Sequence, residues 1–154
     1  MKTIALIAQK GGVGKTTLAV NLAVASGLRT AIFDLDQQES AAIWADRRKS
    51  DQPHVEFLTE RRLSDALKAA ERGMFELSII DTPPAAGPQA YTAAQAADLI
   101  LIPCRPSLVD LDAIKRTAQL SKRHVCLLLW FSMRLPIARR RSLRTLAPLL
   151  RKQA

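Results

Sequence analysis

The segment Gln9–Thr17 reads QKGGVGKTT, and it constrains the chain more than any other stretch. It follows the apolar run Thr3–Ala8 (TIALIA) directly, and it leads into Lys15–Ser26, where Leu18, Ala19, Leu22 and Ala23 recur at helical spacing. An apolar run without polar alternation suits a strand buried on both faces of a parallel sheet. Gly27 stands where a helix C-terminus takes a left-handed residue, and Arg29–Asp34 (RTAIFD) reads as a second buried strand. Strand, glycine loop, helix and strand form a βαβ unit with the loop at its first turn. In such a loop, glycines let successive backbone N–H groups turn inward around phosphate oxygens, and the helix N-terminus adds its positive dipole end. Lys15 would then neutralise phosphate charge and Thr16 would place its hydroxyl on Mg²⁺.

The alternation continues down the chain. Ser40 is positioned to cap a helix running to about Arg48, Ser50–Pro53 break it, and Val55–Leu58 form a short strand. Thr59 or Ser64 opens a helix ending at Gly73, and Leu77–Asp81 (LSIID) forms the next core strand. After a Pro-Pro loop come a helix near Gln89–Ala97, a strand at Leu99–Pro103, a helix near Leu111–Ser121 and a possible last strand at 124–131. Strands alternating with helices predict an α/β fold, a mostly parallel sheet covered on both faces. With 154 residues this is one domain's worth of chain, large enough to bury a core without disulfides. Cys104 and Cys126 stand alone, which argues against a zinc, iron–sulfur or disulfide framework. The N-terminus lacks the apolar length and small-residue cleavage site of a signal peptide, and no run approaches the ~18 residues of a membrane span. The expected location is the cytoplasm.

The loop departs from the common phosphate-binding consensus in one way: Gln9 replaces the first glycine and a second lysine, Lys10, opens it. KGGVGKTT resembles the deviant Walker A motif of the ParA/MinD (Soj-like) family of ATPases. Two further segments carry the resemblance. The second strand ends in Asp34-Leu35-Asp36-Gln37-Gln38, close to that family's DxDPQ, and the third core strand ends in Asp81-Thr82-Pro83-Pro84, like its Walker B strand. Ala97–Pro103 with Pro106 and Leu111-Asp112 is similar to the segment that follows, so the resemblance covers residues 2 to about 121.

The resemblance implies a P-loop NTPase three-layer sandwich that binds ATP and Mg²⁺. Nucleotide would be held by Lys10, Gly11, Gly12, Val13, Gly14, Lys15, Thr16 and Thr17. The metal would be served by Thr16, with Asp34 assisting and Asp81 acting through water. Lys10, Lys15 and Asp36 would be catalytic, Lys10 by reaching across a homodimer to the partner's phosphates and Asp36 by positioning the attacking water. ATP rather than GTP follows from the resemblance alone. Among the branches of the family, DxD-Gln-Gln-x-Ser and DTPP fit the partition ATPases best. The implied partners are a second copy, non-specific DNA and a ParB-like centromere-binding adaptor; a membrane-associated, septum-positioning role is an alternative.

The end of the chain differs in kind. The chain carries 23 Lys+Arg against 14 Asp+Glu, yet no acid lies beyond Asp112, while 11 of the basic residues do. Residues 1–121 thus read as the nucleotide-binding domain and 122–154 as a divergent basic tail. The C-terminal part of the family pattern, including the strand and loop that grip adenine, has no match here. A shifted reading frame or truncated product accounts for this, leaving a nucleotide-binding remnant without an ATPase cycle. Alternatively, Ile137, Leu143, Leu146 and Leu150, with Arg139–Arg141, Arg144 and Arg151 between them, form a basic amphipathic helix for DNA phosphates or anionic lipid.

Overall fold

The computed structural model describes residues 1–85 and 87–104, together with the backbone of 125–130. Six strands form one sheet: β1 (Lys2–Leu6), β2 (Thr30–Asp34), β3 (His54–Phe57), β4 (Leu77–Asp81), β5 (Leu99–Cys104) and β6 (Val125–Trp130). They lie in the order β3-β2-β4-β1-β5-β6, and every neighbouring pair is parallel. Among the described residues four helices lie between the strands: α1 (Lys15–Ser26), α2 (Ser40–Asp46), α3 (Leu63–Arg72) and α4 (Pro88–Ala96). The expected α/β P-loop sandwich is the observed architecture.

Alternate residues of each strand supply the two faces, because side chains in a strand alternate with period two. On one face Ile4, Leu6, Ile32, Ile79 and Leu101 pack against Leu18, Ala19 and Leu22 of α1 and Ala41 of α2. On the other, Ala5, Ile7, Phe33, Ile80, Ile100 and Ile102 pack against Leu63 and Ala70 of α3 and the Ala90, Ala93 and Ala94 stripe of α4. Small alanines on α4 let that helix sit close to the sheet. Burying one Leu, Ile or Phe of these layers stabilises the fold by about 1.5–3 kcal/mol, so the two faces together fix the strand tips relative to one another.

Those tips are the functional consequence of the fold. Leu6 of β1 and Asp34 of β2 are both register partners of Asp81 on β4. Parallel strands thus bring the glycine loop after β1, the Asp34–Gln38 segment after β2 and the Asp81–Pro84 segment after β4 to one edge of the sheet, where ligands of open α/β sheets bind.

Local differences from the sequence reading have identifiable causes. β1 stops at Leu6 because Ile7 and Ala8, although buried, already enter the loop. Ser40 is the first residue of α2 and not its cap; Glu39 precedes it in a left-handed conformation (φ 51°) with no side-chain capping bond of its own. A 3-10 turn at Glu60–Arg62, after Thr59, precedes α3. Gly27 ends α1 at φ 65°, as expected, whereas Gly73 ends α3 at φ −76°. The last strand pairs along its whole length with β5, so the sheet continues beyond residue 121. The helix read near Leu111–Ser121 and the tail beyond Trp130 lie outside the described residues.

Candidate functional site

The glycine loop is shaped by two residues that only glycine suits. Gly12 (φ 68°) and Gly14 (φ 94°) both have left-handed backbones, where a Cβ would be strained. Gly14 is also the N-cap of α1, and neither a capping side chain nor an acidic residue in the first turn competes for the helix's leading N–H groups. This leaves a positive, donor-rich helix start facing the strand tips. Val13 is buried and anchors the loop, while Lys10, Gly11 and Gly12 are exposed on its outer side.

Lys15, the first residue of α1, is 6% exposed, an unusual position for a lysine. Burial pushes its pKa down, and the carboxylates of Asp81 and Asp36 beside it pull in the opposite direction. The structure therefore brings Lys15, Asp36 and Asp81 close enough to act on one another.

Asp81 is 1% exposed, and neither of its carboxyl oxygens has a hydrogen-bond partner. Burial raises its pKa to about 7; the nearby Thr16 hydroxyl and the Lys15 ammonium favour the charged form, and Asp34 and Asp36 oppose it. Buried polar atoms are nearly always partnered, so a buried carboxylate that accepts from no backbone N–H, beside the Thr16 hydroxyl and the Lys15 ammonium, fits a cation-binding role. Hard oxygen donors with room for water fit Mg²⁺, which is commonly held by one or two carboxylates and substrate phosphates.

Asp34 is as buried as Asp81 but differently occupied. Its Oδ1 accepts the Asp36 N–H at 3.0 Å, and its Oδ2 accepts the Ala41 N–H at 2.9 Å. Burial raises its pKa, while these bonds and one from the Ala42 N–H lower it. The carboxylate expected to assist the metal is thus engaged with backbone on both oxygens.

Asp36 is half-buried. Its Oδ1 accepts the Gln38 N–H at 3.0 Å and its carbonyl accepts the Glu39 N–H at 2.8 Å. No hydrogen bond among the described residues uses its Oδ2.

Two contributors received no role from the sequence. The buried Thr82 hydroxyl donates to the Leu6 carbonyl at 2.8 Å, tying the end of β4 to the mouth of the glycine loop. Pro84 lies against the same loop, since a Cβ at Gly11 would meet its ring at 3.8 Å. The DTPP string was visible, but which of its members faces the loop depends on the β1–β4 register. A cleft of ≈ 520 Å³ between α3 and α4, bordered by Met1, Thr3, Leu67, Glu71, Gln95 and Asp98, sits at the opposite strand ends and is separate from this cradle.

The chain resembles known proteins in sequence and in fold. The family described as the CobQ/CobB/MinD/ParA nucleotide binding domain matches residues 4–141. The chain is 39% identical to maintenance of carboxysome distribution protein A of Gloeobacter kilaueensis, over 75% of this chain and 55% of that one. It is 30% identical to the chromosome partitioning protein ParA of Myxococcus xanthus, over 75% of this chain and 56% of that one. The chain therefore spans a little over half the length of these relatives. Its fold superposes on cobyrinic acid a,c-diamide synthase of Mycobacterium smegmatis, solved with an ATP analogue and magnesium, with a TM-score of 0.63 at 18% identity, over 88% of this chain and 77% of that one.

Proposed function

Because this chain belongs to the CobQ/CobB/MinD/ParA nucleotide-binding domain family, we propose that it is an ATP-dependent switch that binds Mg²⁺-ATP in the glycine-loop cradle and hydrolyses it to position a cargo. The observation that carries this reading is the buried Asp81, which accepts from no backbone N–H, beside Lys15 and Thr16 at the start of α1.

The residues divide the work by chemistry. Backbone N–H groups of Gly11–Thr17 and the start of α1 receive phosphate oxygens. Lys15, already desolvated, loses little further hydration when it meets the β/γ charge. The Thr16 hydroxyl and, through water, Asp81 would hold Mg²⁺, which supplies neutralisation of phosphate charge when bound. Asp36 orients the attacking water through its carboxylate, and Lys10, on the exposed side of the loop, serves the second copy in a nucleotide-sandwich homodimer.

Support for positioning as the role comes from the relatives: one distributes carboxysomes and another partitions chromosomes, by their names. The basic residues beyond Asp112 supply the charge for binding DNA non-specifically in the nucleoid, and a ParB-like adaptor would trigger turnover. No described helix is long and apolar enough to cross a membrane.

The test measures ATP binding and turnover in one variant and in the wild type with DNA. Asp36→Ala should keep nucleotide affinity and lose hydrolysis, whereas turnover surviving in that variant would remove Asp36 from the mechanism. Adding non-specific DNA should stimulate the wild-type rate and retain the ATP-bound protein on the DNA; indifference to DNA would reduce the proposal to a nucleotide-binding unit.

A further inference from the structure

We propose that Asp34 is a positioning residue that sets the pose of Asp36 and ties it to α2, and that it does not bind the metal. The inference rests on the ATPase reading for its catalytic consequence and on the hydrogen bonds of the β2–α2 connection for its geometry.

The connection is built around one carboxylate. Asp34 is 0% exposed at the tip of β2. Its Oδ1 holds the N–H of Asp36, two residues on, and its Oδ2 holds the N–H of Ala41, seven residues on, in the first turn of α2. The loop between them is closed again by Asp36, whose Oδ1 takes the Gln38 N–H and whose carbonyl takes the Glu39 N–H. Glu39 accepts a left-handed backbone at φ 51° to complete the turn, which is costly for a residue with a side chain and persists only where the surroundings hold it.

A side chain that accepts on both oxygens, in two directions, from a wholly buried position must be a carboxylate at that spot. Asparagine has a single acceptor oxygen and serine a single hydroxyl, so either leaves a backbone N–H unpaired. The comparison with Asp81 is decisive because the two carboxylates are register partners on adjacent strands. Asp81 accepts from no backbone N–H and has only the Thr16 hydroxyl and the Lys15 ammonium beside it, while Asp34 holds a backbone N–H on each oxygen. The first is arranged to receive a ligand and the second to hold backbone. Two consequences follow. Asp36 cannot shift relative to the phosphate loop without breaking the Asp34 bond, so its water-orienting pose is fixed by Asp34. Because the same carboxylate grips α2, any tilt of α2 is transmitted to Asp36.

The experiment uses the full chain, Asp34→Asn, and amide exchange read by NMR alongside turnover. We expect kcat to fall about tenfold or more, the equivalent of losing one buried hydrogen bond to a charged group, with KM for ATP and the Mg²⁺ concentration for half-saturation unchanged within about twofold. The amides of Asp36 or Ala41 should exchange about tenfold faster. An unchanged kcat, or a raised Mg²⁺ requirement, would overturn the proposal. Should Asp34→Asn not fold, the wild-type protein decides. The Asp36 and Ala41 amides stay protected on adding Mg²⁺ with ATPγS if Asp34 keeps its backbone partners, and they lose protection if it turns to the metal. A wild-type protein that turns over no ATP would defeat the functional reading, while the exchange rates still decide what Asp34 holds.

Discussion

Asp81 and Asp34 face each other in register at the tips of adjacent strands, equally buried, yet only Asp34 is held by backbone N–H groups. That asymmetry makes the nucleotide-free protein sensitive to pH in a defined direction. Asp81 has its pKa raised from 3.8 to about 7 in the folded chain, with burial as the main cause. Between those values the folded state keeps a proton that the unfolded state has released, so stability falls as pH rises from about 4 to about 7 and levels off above. Asp81→Asn should flatten this slope and stabilise the metal-free protein at pH 8 by about 1–3 kcal/mol. Denaturant melts in EDTA across that range check it, and a slope that persists in the variant would place the titration elsewhere.

Lys15→Ala should abolish most nucleotide affinity. A hydrogen-bonded charge pair of this kind contributes about 1.5–3 kcal/mol, or roughly 10–150-fold in Kd. The variant should nevertheless fold, because it removes a desolvated ammonium that burial already penalises. Calorimetric titration with Mg²⁺-ATP measures the loss; an unchanged affinity would refute the cradle.

Glycines of the loop should respond unequally. Gly12→Ala and Gly14→Ala force a Cβ into a left-handed backbone and should each cost about 1–2 kcal/mol, with loss of nucleotide binding. Gly11→Ala meets only the Pro84 ring at ordinary van der Waals distance and should leave stability within about 0.5 kcal/mol. Equal effects at all three positions would contradict the conformational argument.

Thr82→Val removes the hydroxyl that reaches the Leu6 carbonyl and leaves that buried acceptor without this bond. The expected cost is about 1–3 kcal/mol. It should come with faster amide exchange in the glycine loop, because the bond fixes where β1 gives way to that loop. Loop exchange equal to the wild type would make Thr82 a packing residue only.

Most of the sandwich was legible in the sequence because strands buried on both faces read as continuous apolar runs: LSIID is β4 residue for residue, and TIALIA and RTAIFD became β1 and β2 with ends shifted by at most two residues. The glycine loop was legible for a related reason, since the left-handed backbones of Gly12 and Gly14 are dictated by the shape of a single turn. What was not legible depends on long-range register. The cap of α2 is supplied by Asp34 from the preceding strand, so Ser40 looked like the local cap when it was not. Thr82 and Pro84 gained their places only once β1 and β4 were aligned. Asp34 and Asp81, alike as strand-end acids, differ only in the hydrogen bonds around them.

The central claim is that this short chain binds Mg²⁺-ATP in the cradle formed by the glycine loop, Asp36 and Asp81. Its most direct measurement is calorimetric titration of the folded wild-type chain with ATP, with and without Mg²⁺. The account predicts micromolar binding that requires Mg²⁺ and disappears in Lys15→Ala. A folded protein that binds no ATP, or binds it equally without Mg²⁺ and without Lys15, would contradict it.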